Sequence, residues 1–311
     1  MDRFDAMAML VTVSEAGSLS AAGRQLKVPL ATLSRKISDL EALLGTRLLI
    51  RTTRKLTLTD AGATYIGAAR RILEQVEEAE REAAGEYSAP KGELVITAPV
   101  MFGRLHVLPV VADFLTLYPD INVRLVLADR NVSLIDEHID MAVRIGHLPD
   151  SAMVATQVGL MRTVVCASAA LMGAHGEPQH PDDLMAVPCV AVDTPLPSPG
   201  WRFKAPGSGA RLDIPVVVRL SVTSTEAAVD AAIRGVGATQ LLHYQVAEAA
   251  NQGALRIILD AFEPDPAPVN LVHAARGQMP LKMRRFLDFA VPRLREAVGA
   301  IQPARQGPHP S

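Results

Sequence analysis

The chain has 311 residues, 49% of them apolar, and a formal net charge of −2. That is enough for two or three domains with sizeable cores, and no run of about 18 apolar residues is evident, so no membrane span is expected. The two cysteines, Cys166 and Cys189, have neither zinc nor disulfide-framework spacing, and Met1–Asp5 is not a secretory signal, so a cytoplasmic location is expected.

The charge is unevenly placed. Residues 1–57 hold nine Lys/Arg against five Asp/Glu, and a local cationic excess is the footprint of a nucleic-acid-binding segment. Residues 3–15 read as an amphipathic helix with Phe4, Met7, Ala8 and Val11 on its inner face. A short helix follows from Leu19 to Leu26, with Ser18 as N-cap. Lys27 and Val28 make the turn, and Pro29 is tolerated at the next helix start. Leu30, Leu33, Ile37, Leu40 and Leu44 give that helix an inner face. Its other face holds Ala31, Thr32, Ser34, Arg35 and Ser38, small, hydroxyl or cationic groups that fit a major groove. Gly45 ends it. Leu48–Ile50 and Leu56–Leu58 read as two short strands around Arg51-Thr52-Thr53-Arg54-Lys55, a β-wing with a basic tip.

Thr59 caps a long helix running to about Tyr87. Tyr65, Ala69, Ile72, Val76, Ala79 and Ala83 repeat along it with heptad spacing. The rest of that helix is charged, so the stripe predicts a seam with a second copy of the same helix. Ser88–Gly92 reads as a hinge.

Beyond it, strands alternate with helices: a strand at Leu94–Ala98, a helix from Phe102 to Leu117, a strand at Asn122–Leu127, a short helix at Val132–Glu137 and a strand at Met141–Ile145. The alternation predicts a parallel, three-layered α/β sheet. A second run holds strands at Thr163–Ala167, Cys189–Val192, Val216–Leu220, Ala238–Leu242 and Leu255–Ile258, with short helices at Asp182–Met185 and Tyr244–Ala250. Residues 195–200 form an irregular loop before Trp201. Thr223 and Glu226 have capping-box spacing at the start of a helix running to Arg234. Pro264, Pro266 and Pro268 mark a linker, and Val269–His273 and Leu281–Val298 close the fold as strand and helix. Residues 301–311 are expected to be disordered.

The eight histidines are scattered, with no H-E-x-x-H, and there is no P-loop, no G-x-S-x-G and no G-x-G-x-x-G after a strand. No catalytic residue, metal site or cofactor is expected, and an enzyme reading has no named nucleophile or base. A binding protein of transport would share an α/β ligand domain but has no use for a helix-turn-helix.

The stretches S-L-S-A-A-G-R-Q-L at 18–26 and L-S-R-K-I-S-D-L-E-A-L-L-G-T-R-L-L-I-R-T-T-R-K-L-T-L-T-D-A-G at 33–62 resemble the LysR-type transcriptional regulators. So do R-I-G at 144–146 and A-I-R-G-V-G at 232–237. The resemblance spans about residues 3–300. It implies a winged helix-turn-helix over 1–58, a dimerising linker helix over 59–87 and a hinge at 88–92. It also implies an effector domain over 93–300 that resembles the periplasmic binding proteins. Lobe I of that domain would comprise 93–162 and 266–300, and lobe II 163–265. Promoter DNA, a small-molecule effector, a second copy in a homodimer or homotetramer, and RNA polymerase are the implied partners; no membrane is among them. The DNA contacts expected are Leu30, Ala31, Thr32, Ser34, Arg35, Ser38, Arg51, Thr53 and Arg54. Leu30 and Ala31 depart from the family's usual Gln or Ser followed by Pro.

Two helix starts, at Val100-Met101-Phe102 and at Thr223-Ser224, are expected to face the effector. Arg144 would add a cation beside Gly146, and Met101 and Phe102 an apolar wall. That set suits a small organic acid.

Overall fold

In the computed structural model the described residues are 2–51, 56–83, 90–130, 132–146, 148, 153–193, 200–274 and 279–301. They form two compact units, which divide between Gly92 and Glu93.

The first unit opens with α1 (Arg3–Ala16), capped by the Asp2 carboxylate. α2 (Leu19–Leu26) is capped by the Ser18 hydroxyl, and the left-handed Lys27 turns the chain into α3 (Leu30–Leu44). β1 (Leu49–Arg51) and β2 (Leu56–Leu58) pair antiparallel as the wing. α4 (Asp60–Ala83) follows, with the Thr59 hydroxyl accepting from Gly62 N at 2.9 Å. Leu33, Ile37, Leu40, Leu48, Leu49 and Ile66 are buried with Ala6, Met9, Leu10 and Val13 in one core. Each of the Leu, Ile, Met and Val side chains contributes about 1.5–3 kcal/mol. The inner face of α1 differs from the one its pattern suggests. Phe4 is exposed, and Ala6, Met9, Leu10 and Val13 go inside, because the capping Asp2 and the docking of α2, α3 and α4 around α1 orient it. Leu30 and Leu44 are likewise exposed rather than core.

The second unit has two lobes. In lobe I, five strands run in the order β4-β3-β5-β14-β6. They are β3 (Gly92–Ala98), β4 (Ile121–Leu127), β5 (Met141–Ile145), β6 (Met153–Met161) and β14 (Ala267–Ala274). β3 and β5 are parallel, whereas β14 runs antiparallel to both β5 and β6. The sheet is therefore mixed, not parallel: a strand from far along the chain inserts between β5 and β6. β6 has a mixed burial pattern, four of its nine residues exposed and two buried, and Thr156 and Gln157 interrupt its apolar residues.

A helical stretch crosses this lobe as α5 (Val100–Phe102), a π-helical turn Gly103–Val107, and α6 (Leu108–Leu117). Val100–Leu117 is long and apolar enough by length and composition alone to cross a membrane, although Arg104 and Asp113 interrupt its apolar residues. In the fold its Phe102, Val107, Val110, Val111 and Phe114 fill the lobe I core. The segment 132–137 is a turn rather than a helix. His138 adopts φ +55° and closes it after one turn, with Ile139 N donating back to Leu134 O.

Lobe II holds β7 (Thr163–Ala167), β12 (Thr239–Leu242) and β13 (Arg256–Ile258) in an antiparallel sheet, order β12-β7-β13. β8 (Pro188–Val192) pairs in parallel with β11 (Val217–Val222) and bridges from Cys189 to Ala238. A Cβ on Gly237 would meet Pro188 O at 2.6 Å, so that approach requires glycine. β9 (Trp201–Lys204) and β10 (Arg211–Ile214) form a hairpin, where an irregular loop was expected to lead only to Trp201. The helices are α7 (Ala169–His175), α8 (Thr225–Ile233) and α9 (His243–Asn251). α10 (Leu281–Ile301) returns to lobe I and carries Phe286, Ala290 and Leu294 into its core. Ile301 thus belongs to a helix, and the remainder of the expected tail, 302–311, lies outside the described residues.

The two lobes join at two crossings. Arg162 at the first forms a bidentate ion pair with Glu263 at the second, at 2.8 and 2.5 Å. Tyr244 of α9 packs edge-on against Phe102, with ring centroids 5.3 Å apart.

Candidate functional site

At about 100° per residue, the side of α3 opposite Leu33, Ile37 and Leu40 centres on Arg35 and carries Ala31, Ser38, Asp39 and Ala42. All five are exposed. Arg35 makes no side-chain hydrogen bond or ion pair among the described residues, and the conceivable pairing with Asp39 one turn away does not form. The adjacent cation is used differently: Lys36 pairs with Asp5 and ties α3 to α1. Thr32 and Ser34 are half-buried at the flanks, and Leu30 is exposed at the helix start.

The wing is held from below by Glu41, whose Oε1 accepts from Leu48 N and Leu49 N at 2.8 and 3.0 Å. Thr59 Oγ1 donates to Arg47 O at 2.7 Å. A Cβ on Gly62 would lie 2.0 Å from Leu48 O, so α4 can press on the base of the wing only with glycine there. Thr53 and Arg54 lie outside the described residues, as does the side chain of Arg51.

On α4 the heptad stripe divides. Tyr65 is packed against the core of its own unit, and Ala69 is fully buried. Those two positions are taken up within the chain, contrary to the seam reading, because α4 docks on α1 and Arg70 pairs with Glu15 at 2.9 Å. Ile72 is exposed and Val76 half-buried; the side chains of Ala79 and Ala83 lie outside the described residues.

In the second unit, a cavity of about 150 Å³ opens at the carboxyl ends of β3 and β5. Thr97, Ala98 and Pro99 form one wall, Ala128, Asp129, Arg130 and Val132 another, and Val143, Arg144 and Ile145 the floor. The carboxyl edge of an open α/β sheet is where ligands bind. Arg144 Nη2 donates to Val132 O, and burial draws the guanidinium below its ordinary range. Arg130 forms a bidentate pair with Glu137 at 2.7 and 2.8 Å.

Several expected effector contacts fall elsewhere. Val100 N at the helix start donates to Asp129 Oδ1 at 2.9 Å, so the chain's own carboxylate stands where a ligand acid was expected. Phe102 is completely buried and belongs to the core, not to a cavity wall. Met101 is partly buried against the same core. Gly146 adopts φ +113° just past β5 and does not line the cavity. In lobe II the cap of α8 is Ser224, not Thr223. Its hydroxyl accepts from Ala227 N at 3.3 Å and donates to Glu226 Oε2 at 3.1 Å.

Two family descriptions match the chain. Residues 4–63 match "Bacterial regulatory helix-turn-helix protein, lysR family", and residues 88–295 match "LysR substrate binding domain". The chain belongs to the LysR family of transcriptional regulators.

An HTH-type transcriptional regulator of Xanthomonas campestris pv. campestris is 35% identical over 289 residues, covering 92% of this chain and 84% of its own length. The regulator CrgA of Neisseria meningitidis is 32% identical, over 93% of this chain and 96% of its own. Its solved structure superposes with a TM-score of 0.59 over 93% and 98% of the two chains. The Vibrio cholerae virulence activator AphB, 26% identical, gives 0.59 over 93% and 98%. This LysR-type regulator thus has a DNA-binding and an effector-binding domain, and its family is not one of enzymes.

Of the cavity's lining residues sequence reasoning found only Arg144 and missed those at 97–99, 128–130, 132, 143 and 145. They reach the cavity from three strand ends whose order is set by sheet pairing. The signals available were the Asp129-Arg130 pair directly after a strand and its distance of one strand from Arg144.

Proposed function

We propose that this regulator grips promoter DNA through the outward face of α3 and the wing, with Arg35 at the centre of the contact and Arg51 and Arg54 on flanking phosphates. Residues 1–58 act as the DNA-binding domain, 59–87 as the linker helix, 88–92 as the hinge and 93–300 as the effector domain. The protein works in the cytoplasm as a homodimer that assembles into a tetramer, addresses RNA polymerase, and is switched by a small molecule in the cavity at the ends of β3 and β5.

The observation that carries the reading is the contrast between neighbouring cations. Lys36 is consumed by Asp5, while Arg35 stands exposed at the middle of a small-residue face. A base-reading arginine is worth about 1–3 kcal/mol of discrimination, and a phosphate contact flattens the salt dependence by roughly one unit of slope. Gel shifts of Arg35→Ala and Arg54→Ala on operator and random DNA across salt test it. Arg35→Ala is expected to narrow the gap between the two DNAs and Arg54→Ala to weaken both alike; unchanged affinity in both variants contradicts the reading.

A further inference from the structure

The first residue of α3 is a leucine turned to solvent. Leu30 is 49% exposed. The apolar residues just before it, Leu26 and Val28, lean against the core of the unit, and Leu30 is not among the residues packed there. Ala31 beside it is exposed as well, and it stands one turn before Arg35 on the same side of the helix. The residues at the start of the second helix of a helix-turn-helix are the ones that meet base edges in the major groove. Here the first two of them bring neither a hydrogen-bond donor nor an acceptor in their side chains.

Base pairs present donors, acceptors and one apolar group in the major groove, the C5-methyl of thymine. A leucine pressed against a G·C pair would strip water from a donor or an acceptor and offer no partner in return. Pressed against the methyl, it takes apolar surface of both groups out of water. Leu30 thus selects by attraction to one base and by the cost of the others. The short side chain of Ala31 lets the helix end approach closely and adds a second apolar contact of the kind that thymine accepts.

We propose that Leu30, with Ala31 beside it, reads thymine: the recognised sequence carries a thymine, next to the base that Arg35 contacts, whose C5-methyl lies against the Leu30 side chain. Leu43 is the internal comparison. It is also a leucine of α3 and is 52% exposed, but it lies about 20 Å further along the axis at 1.5 Å per residue, at the end away from the base contacts.

The inference rests on the reading that the α3 face grips DNA, and the test separates the two. The full chain selects fragments from a pool of random double-stranded DNA. The enriched sequence is resynthesised with each thymine in turn replaced by deoxyuridine, which removes the methyl and keeps every hydrogen-bonding group. Affinities for these duplexes are measured by fluorescence anisotropy with wild type, Leu30→Ala and Leu43→Ala. Deoxyuridine at one position is expected to weaken the wild type about 3–10-fold. The same exchange should be all but silent in Leu30→Ala and keep its full effect in Leu43→Ala. A variant that merely lost structure would weaken on both duplexes alike, so the ratio between them reads the methyl contact alone. The proposal is overturned, with the grip of α3 on DNA left standing, if no deoxyuridine changes wild-type affinity. It is overturned equally if the sensitive thymine stays as sensitive in Leu30→Ala, or if Leu43→Ala abolishes the effect as Leu30→Ala does. A pool from which the wild type enriches no sequence overturns both.

Discussion

The face of α3 and the cavity of the effector domain are both surfaces prepared for a partner, but they are built in opposite ways. The α3 face comes from one continuous helix. Its core side, Leu33, Ile37 and Leu40, fixes the rotation, and the outward side is then determined by helical geometry alone. The cavity is assembled from residues 97–99, 128–130, 132 and 143–145, which meet only because β3, β4 and β5 lie side by side. A contact surface on one helix is a local property; one at the ends of strands is a property of the whole sheet. Substitutions should therefore act sharply and separately in the first unit and more diffusely in the second.

The largest expected effect breaks the first unit at its tightest approach. Gly62→Val places a side chain where even a Cβ lies 2.0 Å from Leu48 O. It should destabilise the DNA-binding unit by about 3 kcal/mol or more, abolish DNA binding and leave the effector domain folded. Calorimetric melting of the full chain should show one transition lost or lowered and another retained. A wild-type thermogram would mean that α4 and the wing do not pack as described.

Next is Ile72→Glu. Tyr65 and Ala69 are used inside the chain, so the seam proposed between copies begins at exposed Ile72 and continues through Val76. A carboxylate buried there without a partner costs several kcal/mol of association. Sedimentation should show monomers with intact far-UV spectra; the wild-type assembly in this variant would place the seam elsewhere.

A smaller effect concerns the interlobe cluster. Burial holds the His106 imidazole below its ordinary range, and burial and Arg162 do the same for His243. Both are favoured neutral in the folded state. Their contribution to stability is present above the unfolded imidazole value of about 6.5 and is lost as pH falls through the lower folded values. The melting temperature of the effector domain should fall on acidification below about pH 6.5, and His106→Gln should flatten part of that fall. Equal slopes for variant and wild type would show that His106 stays as it is in the unfolded chain.

The same contrast explains how much was legible in advance. Helices α2, α3 and α4, the caps at Ser18 and Thr59 and the wing strands follow from local patterns. The inner face of α1 does not: Met7 and Met9, or Val11 and Val13, are equally apolar, and only docking chooses between them. In the second unit most strands announce themselves as apolar runs. β6 does not, because Thr156 and Gln157 break its apolar residues into two short pieces, and the antiparallel insertion of β14 depends on a pairing more than a hundred residues away in sequence. Burial pushes both cysteine thiols up to about 12, the behaviour of small core residues, one in each of the two apolar clusters of lobe II. Phe102 was misjudged because an apolar residue at a helix start reads alike whether it lines a cavity or fills a core. The π-helical turn after it, which brings His106 to within 4.9 Å of Phe102 and 5.9 Å of Tyr244, leaves no periodic trace. Gly103 is its one sign: a Cβ there would meet the Leu127 side chain at 2.2 Å.

The central claim is that the α3 face reads DNA sequence, with Arg35 as its main reader. It is tested most directly by incubating the purified full chain with fragments of genomic DNA and sequencing what it retains, in parallel for wild type and Arg35→Ala. Enrichment of a short recurring sequence with twofold symmetry by the wild type, lost or relaxed at particular bases in Arg35→Ala while overall retention at low salt persists, is the predicted result. No enrichment by the wild type, or the same recurring sequence from both proteins, would contradict the account.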